Sequence, residues 1–305
     1  MYKIMDEMHI LLFYKYVTIE DTEKYKQELL DILNKIGLKG RILLANEGIN
    51  GSVSGDNEQT EKFKEELRKD FRFSDMEFKE DIGTDHPFKK TQVKIKNEII
   101  KFQQNVNLKN TGKHLTAEEF LDIYKKEGDK IGKEIIILDA RNNYESNVGK
   151  FKGAITPNIE KFTEFAKVVD ELDEHKGKKI IMYCTGGIRC EKASAYLKER
   201  GFKDVSQLHG GILTFGKKFP DSVWEGTCFV FDKRMVSDLN TENKTVMNCN
   251  ICTRPCYYYN NCENHPCNEF CSLCPECKES YAGCCSKECF DNVQIVKKEK
   301  IILKN

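Results

Sequence analysis

The stretch YCTGGIRCEKAS, Tyr183 to Ser194, joins an apolar run to a run with helical texture. A cysteine at the turn from a buried strand into a helix is placed for chemistry, and Cys184 stands at that turn. The spacing from Cys184 to Arg189 is Cys-x4-Arg. The intervening Thr185, Gly186, Gly187 and Ile188 let successive amide N–H groups turn inward on the sulfur. The following helix adds the positive end of its dipole, and Arg189 adds a full charge. Each effect favours thiolate over thiol, so Cys184 is predicted to be a low-pKa nucleophile. Cysteine phosphatases use a loop one residue longer, which opens it for a phosphate oxyanion. The shorter ring here suits a single sulfur or a small planar ligand. Cys190, at the start of the helix, reads either as a second thiol or as a residue packed under the loop.

Outward from this loop, residues 112–235 alternate as a parallel α/β sheet. Thr116 caps a helix with Glu119 three residues on. Strand EIIILDAR (134–141), helix TEFAKVVDELD (163–173), strand KIIMYC (179–184), helix CEKASAYLKERG (190–201) and strand VSQLHGG (205–211) follow. Sites in such sheets form beyond the carboxyl ends of the strands. Asp139, Cys184 and His209 are expected there, converging on one pocket. Glu191 and Lys192 read as a solvated helix face, with an acid or base role near the sulfur as the alternative.

Residues 1–105 read differently. A strand over 9–17, a helix from the Asp21 cap to Ile36, and a strand over 40–45 come first. The glycine-rich stretch NEGINGSVSG (46–55) reads as a loop, either a tight turn or a backbone cradle for an anion. A charged helix ends near Lys69, and strands around 76–82 and 92–102 close the unit. The order βαββαβ predicts a ferredoxin-like sandwich. Lys89, Lys90, Lys94 and Lys96 are phosphate-contact candidates or a solvated strand face.

The chain has 305 residues, with 49 basic against 49 acidic, and each third is close to balance. No basic arm is present, so any nucleic-acid contact must come from patches assembled by the fold. No secretory signal is read at the start, and no apolar run approaches the ~18 residues of a membrane span, so a cytoplasmic location without membrane partner is expected. Fourteen cysteines in such a chain point to metal ligands and reactive thiols rather than disulfides. Eleven of them fall between Cys249 and Cys289. Cys249 and Cys252, Cys262 and Cys267, Cys274 and Cys277, and Cys285 and Cys289 give four ligand pairs. Eight thiolates would hold two structural zinc ions, with sequential and interleaved pairing both open. Cys256, Cys271 and Cys284 are alternates. The module spans 245–292 after a polar linker (237–248), and a basic tail follows over 293–305. Tyr257 to Tyr259 and Arg254 could stack on unpaired bases or dock the module on its neighbour.

ILDARNNYESNVGKFKGAI (137–155), the Cys184 loop and LHGGI (208–212) resemble a rhodanese domain. Cys184 matches its sulfur-carrying cysteine. Asp139 and Arg141 match a DxR signature, a carboxylate closing a salt bridge under the loop. With ILLANEGINGSVSG and WEGTCFVFDKR (224–234), the chain resembles the tRNA uridine(34) hydroxylase family along essentially its whole length. The resemblance implies oxygen-dependent 5-hydroxylation of the wobble uridine, with O2 as co-substrate and the tRNA anticodon loop as partner. In that reaction Cys184 would add to C6 of the uracil ring. No flavin or nicotinamide fingerprint is found, and no histidine sits in the His-x-Asp/Glu pattern of non-haem iron oxygenases. Two other readings stand beside this one: a sulfurtransferase carrying a persulfide on Cys184, and a non-catalytic binding module.

Overall fold

The structure, a computed structural model, describes residues 7–239, 247–256 and 258–302. Most of the polar linker, Tyr257 and the last three residues of the tail lie outside the described residues.

The chain opens with β1 (Met8–Tyr16), α1 (Thr22–Ile36), β2 (Lys39–Ala45), β3 (Gly48–Gly55), α2 (Asn57–Arg68), β4 (Phe78–Gly83) and β5 (Thr91–Ile95). The sheet order is β4-β1-β3-β2-β5, antiparallel except for β5 beside β2, so the ferredoxin-like order gains one edge strand. Asp21 accepts the Lys24 N–H at 2.9 Å to start α1, and Gly37 at φ +89° ends it. β1 alternates as a half-covered strand should. Leu11 and Phe13 face the helices with Leu29, Leu33 and Phe63, while Leu12, Tyr14 and Tyr16 face the other way.

The glycine-rich stretch is not a loop. Only Asn46 and Glu47 turn, and Gly48–Gly55 is the central strand of the sheet. Its register pairs it with both β1 and β2, so its amides serve the ladder and form no anion cradle. The glycines answer to crowding: a Cβ at Gly51 would meet the Phe13 ring at 2.6 Å. The run over 92–102 is also shorter as a strand than its alternation predicts, since β5 stops at Ile95.

Next come β6 (Lys113–Leu115), α3 (Ala117–Glu127), β7 (Ile135–Asp139), α4 (Asn143–Ser146), β8 (Gly149–Phe151), α5 (Phe165–Glu171), β9 (Lys179–Tyr183), α6 (Ile188–Glu199), β10 (Asp204–Leu208) and α7 (Gly211–Lys218). The parallel sheet runs β6-β10-β9-β7. Both faces are covered, so its strands are continuous apolar runs. Ile136, Leu138, Ile180 and Met182 pack toward α5 and α6, whereas Ile135, Ile137, Ile181 and Tyr183 pack toward α3 and α7.

The chain then crosses back. β11 (Trp224–Gly226) pairs with β8, and β12 (Cys228–Phe229) pairs with β13 (Val236–Ser237). Arg234 and Ser237 bind Asp81 of β4, which ties this segment to the ferredoxin-like sheet. The cysteine-rich module has two short hairpins, β14 (Met247–Asn248) with β15 (Pro255–Cys256) and β16 (Tyr259–Asn261) with β17 (Phe270–Ser272), then α8 (Pro275–Ser280) and α9 (Lys287–Ile302). α9 runs straight through residue 293, so the described part of the basic tail is the end of that helix rather than a separate segment. No described helix is long and apolar enough to cross a membrane.

Candidate active site and metal centres

β9 ends at Tyr183 and α6 begins at Ile188, so Cys184 sits on the short turn between them. Gly187 takes φ +105°, a conformation open to glycine, and its N–H donates to Cys184 Sγ at 3.1 Å. Burial works against a thiolate here. The Cys190 S–H, the Arg189 charge and the N–H groups of Arg189 and Cys190 outweigh it and pull Cys184 down to about 6. Burial and the adjacent Cys184 push Cys190 well up. It therefore stays a thiol and serves as a donor under the loop.

Arg189 is held by Glu145, a fully buried carboxylate on α4 that also accepts from the Thr185 hydroxyl at 3.3 Å. Glu145 lies inside the DARNNYESNVG stretch, where no spacing marks it out. The available signal was that a buried arginine needs a buried counter-charge. Asp139 takes a different job. It forms a buried pair with Arg141 at 2.7 Å, and Arg141 Nη2 also donates to the Gly149 carbonyl at 2.6 Å. This locks the turn beneath the loop. The floor is the Gly210–Gly211 bend, where Ile212 N–H donates to Cys184 O at 3.0 Å. A Cβ at Gly211 would meet that oxygen at 2.4 Å.

The roof comes from the helix-free face of the first sheet. A Cβ at Gly186 would meet Leu12 Cδ2 at 2.9 Å, and one at Gly187 would meet the Tyr14 hydroxyl at 2.7 Å. Tyr16 donates to the Ile188 carbonyl at 3.3 Å, and Tyr14 to Glu191 Oε1 at 3.1 Å. Burial, then the Glu191 charge, holds the Tyr14 phenol protonated far above its ordinary range. Cys184 is accordingly 1% exposed.

Two expectations change here. Glu191 and Lys192 are not a solvated helix face: Glu191 is mostly buried against Tyr14, His114 and Gln207, and Lys192 is buried between Glu47 and Glu98. Burial alone would raise Glu191, yet its hydrogen bond from His114 keeps it below the ordinary carboxylate range. Nor do Asp139, Cys184 and His209 converge. Asp139 faces Arg141, and His209 pairs at the surface with Glu77 at 2.9 Å. The cation beside the loop is instead Lys79 of β4, whose ammonium lies 4.7 Å from the Tyr14 ring centroid. Burial lowers its pKa, opposed by the charges of Glu77 and Cys184. Among the described residues no carboxylate pairs with it. Lys79, Glu77, Arg68, His209 and Thr214 line a cavity of about 560 Å³.

In the third module the sulfurs of Cys249, Cys252, Cys274 and Cys277 lie within 4.8 Å of one another, and so do those of Cys262, Cys267, Cys285 and Cys289. The pairing is interleaved: first with third, second with fourth. Four sulfurs at about 2.3 Å from one zinc stand about 3.8 Å apart. Cys252–Cys274, Cys267–Cys285 and Cys285–Cys289 are each at 3.7 Å, so both sets fit that ion and no disulfide. Cys274 N–H points to Cys249 Sγ at 3.5 Å and Cys285 N–H to Cys262 Sγ at 3.4 Å, as thiolate ligands require. Cys256 bonds Ser272, and Cys271 and Cys284 are buried outside both sets. Arg254 is engaged by Cys252 Sγ at 3.4 Å and by Glu276, and Tyr259 stacks on Phe270.

Comparison with known proteins follows this division. Profiles described as UPF0176 acylphosphatase like domain, Rhodanese-like domain and Rhodanase C-terminal match residues 8–99, 116–218 and 225–290. A tRNA uridine(34) hydroxylase of Bacillus cytotoxicus is 43% identical over 92% of this chain and 87% of its own length. Proteins of that name from Cytophaga hutchinsonii (41%, over 93% and 90%) and Listeria welshimeri (43%, over 93% and 90%) are similar.

Proposed function

Because the chain belongs to the tRNA uridine(34) hydroxylase family, we propose that it hydroxylates C5 of the wobble uridine of tRNA with Cys184 as its nucleophile. The observation that carries this reading is the Cys184 loop of a chain in this family: the Gly187 N–H donates to Sγ at 3.1 Å and the Glu145-held Arg189 lies beside it, which draws the thiol down to about 6. Addition of the thiolate to C6 forms an S–C6 bond, and the C5–C6 π pair moves onto C5 and O4. The electron-rich C5 then takes one atom of O2. Loss of the C5 proton restores the double bond and expels Cys184. The second oxygen atom leaves as water, using two electrons and two protons from a reductant.

Lys79 is compatible with the same reading: its ammonium, 4.7 Å from the Tyr14 ring centroid and without a carboxylate partner among the described residues, is a cation available beside the loop. The closed roof implies that Leu12 and Tyr14 shift as the base enters. Zinc in the two four-cysteine sites would hold the third module in place as structural ions. The cytoplasm is the proposed setting, and all fourteen cysteines are free of disulfides, the state a reducing compartment maintains. The test is hydrogen exchange at C5. Without oxygen the C6 adduct can only revert, so in deuterated water the parent protein should exchange the C5 hydrogen of uridine 34 and Cys184→Ala should not. Normal hydroxylation by Cys184→Ala would reject the scheme.

A further inference from the structure

A second cavity, of about 410 Å³, opens beside Phe231, the ring that the Arg189 guanidinium approaches to 5.8 Å. All three parts of the chain build it. β2 of the ferredoxin-like sheet contributes Arg41, α4 contributes Tyr144, the β12–β13 hairpin contributes Phe229 and Phe231, and the cysteine-rich module contributes Asn261 and Phe270. The rings brace one another: Phe229 lies 5.2 Å from Tyr144, 5.1 Å from Phe231 and 5.2 Å from Phe270, each nearly edge-on. Each edge-on contact covers one ring face, and Tyr259 stacks on Phe270, so the ring left open is Phe231. Phe231 is 61% exposed, while the Arg189 guanidinium sits 5.8 Å from its ring centroid. One ring therefore touches both the thiolate loop and solvent.

The Arg41 side chain is exposed and has no ion-pair or hydrogen-bond partner among the described residues, its backbone serving the sheet. The β2–β5 register sets Lys94, also exposed, on the same face two residues along. An exposed aromatic face, side-chain amides and an unpaired guanidinium in one cavity match an unpaired nucleotide. A base stacks on the ring, its edge meets the amide, and its phosphate meets the arginine. Asp232, the one carboxylate on the lining, is already paired with Arg234 at 2.7 Å, which leaves the Arg41 guanidinium for an incoming phosphate.

We propose that this cavity binds the base of an anticodon-loop nucleotide flanking uridine 34, stacked on Phe231 with its phosphate on Arg41. The site rests on the tRNA reading above and adds the element that sets which strand segment is anchored. Anchoring one neighbour at Phe231 fixes where the next base meets the roofed loop. Phe231 and Arg41 are positioning residues, touching the RNA but not the reacting atoms.

The test uses the full chain carrying Cys184→Ser, so that binding is read without turnover. Affinity is measured for anticodon stem-loops with a single abasic nucleotide at each loop position in turn. Loss of one base beside uridine 34 should weaken binding about tenfold, the size of one stacked base. Phe231→Ala should weaken the intact stem-loop by the same factor and show no further loss with that abasic RNA. Phe231→Trp should restore affinity, and Arg41→Gln should reduce the salt slope by about 1. Independent, additive losses for Phe231→Ala and every abasic RNA would overturn the site while leaving the tRNA reading intact. No preference of the parent protein for the anticodon stem-loop over an unrelated hairpin would overturn both.

Discussion

Lys192 of α6 and Glu98 of the ferredoxin-like part are joined across the two domains, with Nζ 2.7 Å from Oε2. The same ammonium lies 2.9 Å from Glu47 in the β2–β3 turn, and only 3% of the lysine side chain is exposed. Glu98 in turn accepts the Phe102 N–H at 3.0 Å, which fixes the strand leaving the first domain. One cation therefore clamps the sheet that roofs Cys184 onto the helix that follows Cys184.

Replacing Lys192 by Met should loosen that clamp. Breaking a buried pair costs about 3–5 kcal/mol, and about 2 kcal/mol is expected here because both carboxylates are partly solvated. Calorimetry should show a broader or split unfolding transition relative to the parent protein as the two domains lose their coupling.

Glu145→Gln should be more severe, since it strands Arg189 in a fully buried site. A loss of about 3–5 kcal/mol in denaturant unfolding is expected. The double variant Glu145→Gln/Arg189→Met should recover at least half of that stability, because both charges are then gone. It should still be inactive, since Cys184 has lost the cation that favours its thiolate. Recovery of activity along with stability would show that Arg189 only fills space.

The pH dependence of kcat/KM separates the roles of the two loop cysteines. An acid whose pKa lies at about 6 is a thiolate above that value, so activity should rise with pH through about 6 and then level. Cys190 lowers the Cys184 pKa by donating to it. Cys190→Ala removes that donor, so the midpoint should move to higher pH while activity at alkaline pH is largely kept. Complete loss at every pH would make Cys190 a second reacting thiol.

Metal counting tests the interleaved pairing. The parent protein should carry about two zinc ions per chain. Cys252→Ser should lose one, Cys252→Ser/Cys277→Ser should lose no more than that, and Cys252→Ser/Cys289→Ser should lose both. Sequential pairing would make Cys252 share its ion with Cys262 and Cys267, which mutation of those residues would reveal.

The candidate loop is legible in sequence because it is contiguous: Cys184, its glycines and Arg189 fall within six positions. The four cysteine pairs are legible for the same reason, each pair being a local knuckle. What fails is whatever depends on distant residues. Pairing of the knuckles is set by how residues 249–289 fold back on themselves. β3 hides because Gly48, Gly51 and Gly55 read as turn residues until Phe13 and its neighbours occupy the space a side chain would need. Glu191 and Lys192 look solvated on a helix read alone. They are covered by Tyr14, Glu47 and Glu98, between 94 and 177 positions away. Glu145 escapes notice because nothing local says which acid will face Arg189.

The most direct measurement is nucleoside mass spectrometry of tRNA treated with the purified protein under heavy-isotope oxygen gas, parent and Cys184→Ser side by side. Heavy oxygen on C5 of uridine 34 in the parent reaction, absent with Cys184→Ser, is the expected result. Unmodified uridine 34 together with sulfite release from thiosulfate in the presence of cyanide would contradict it and make Cys184 a persulfide carrier.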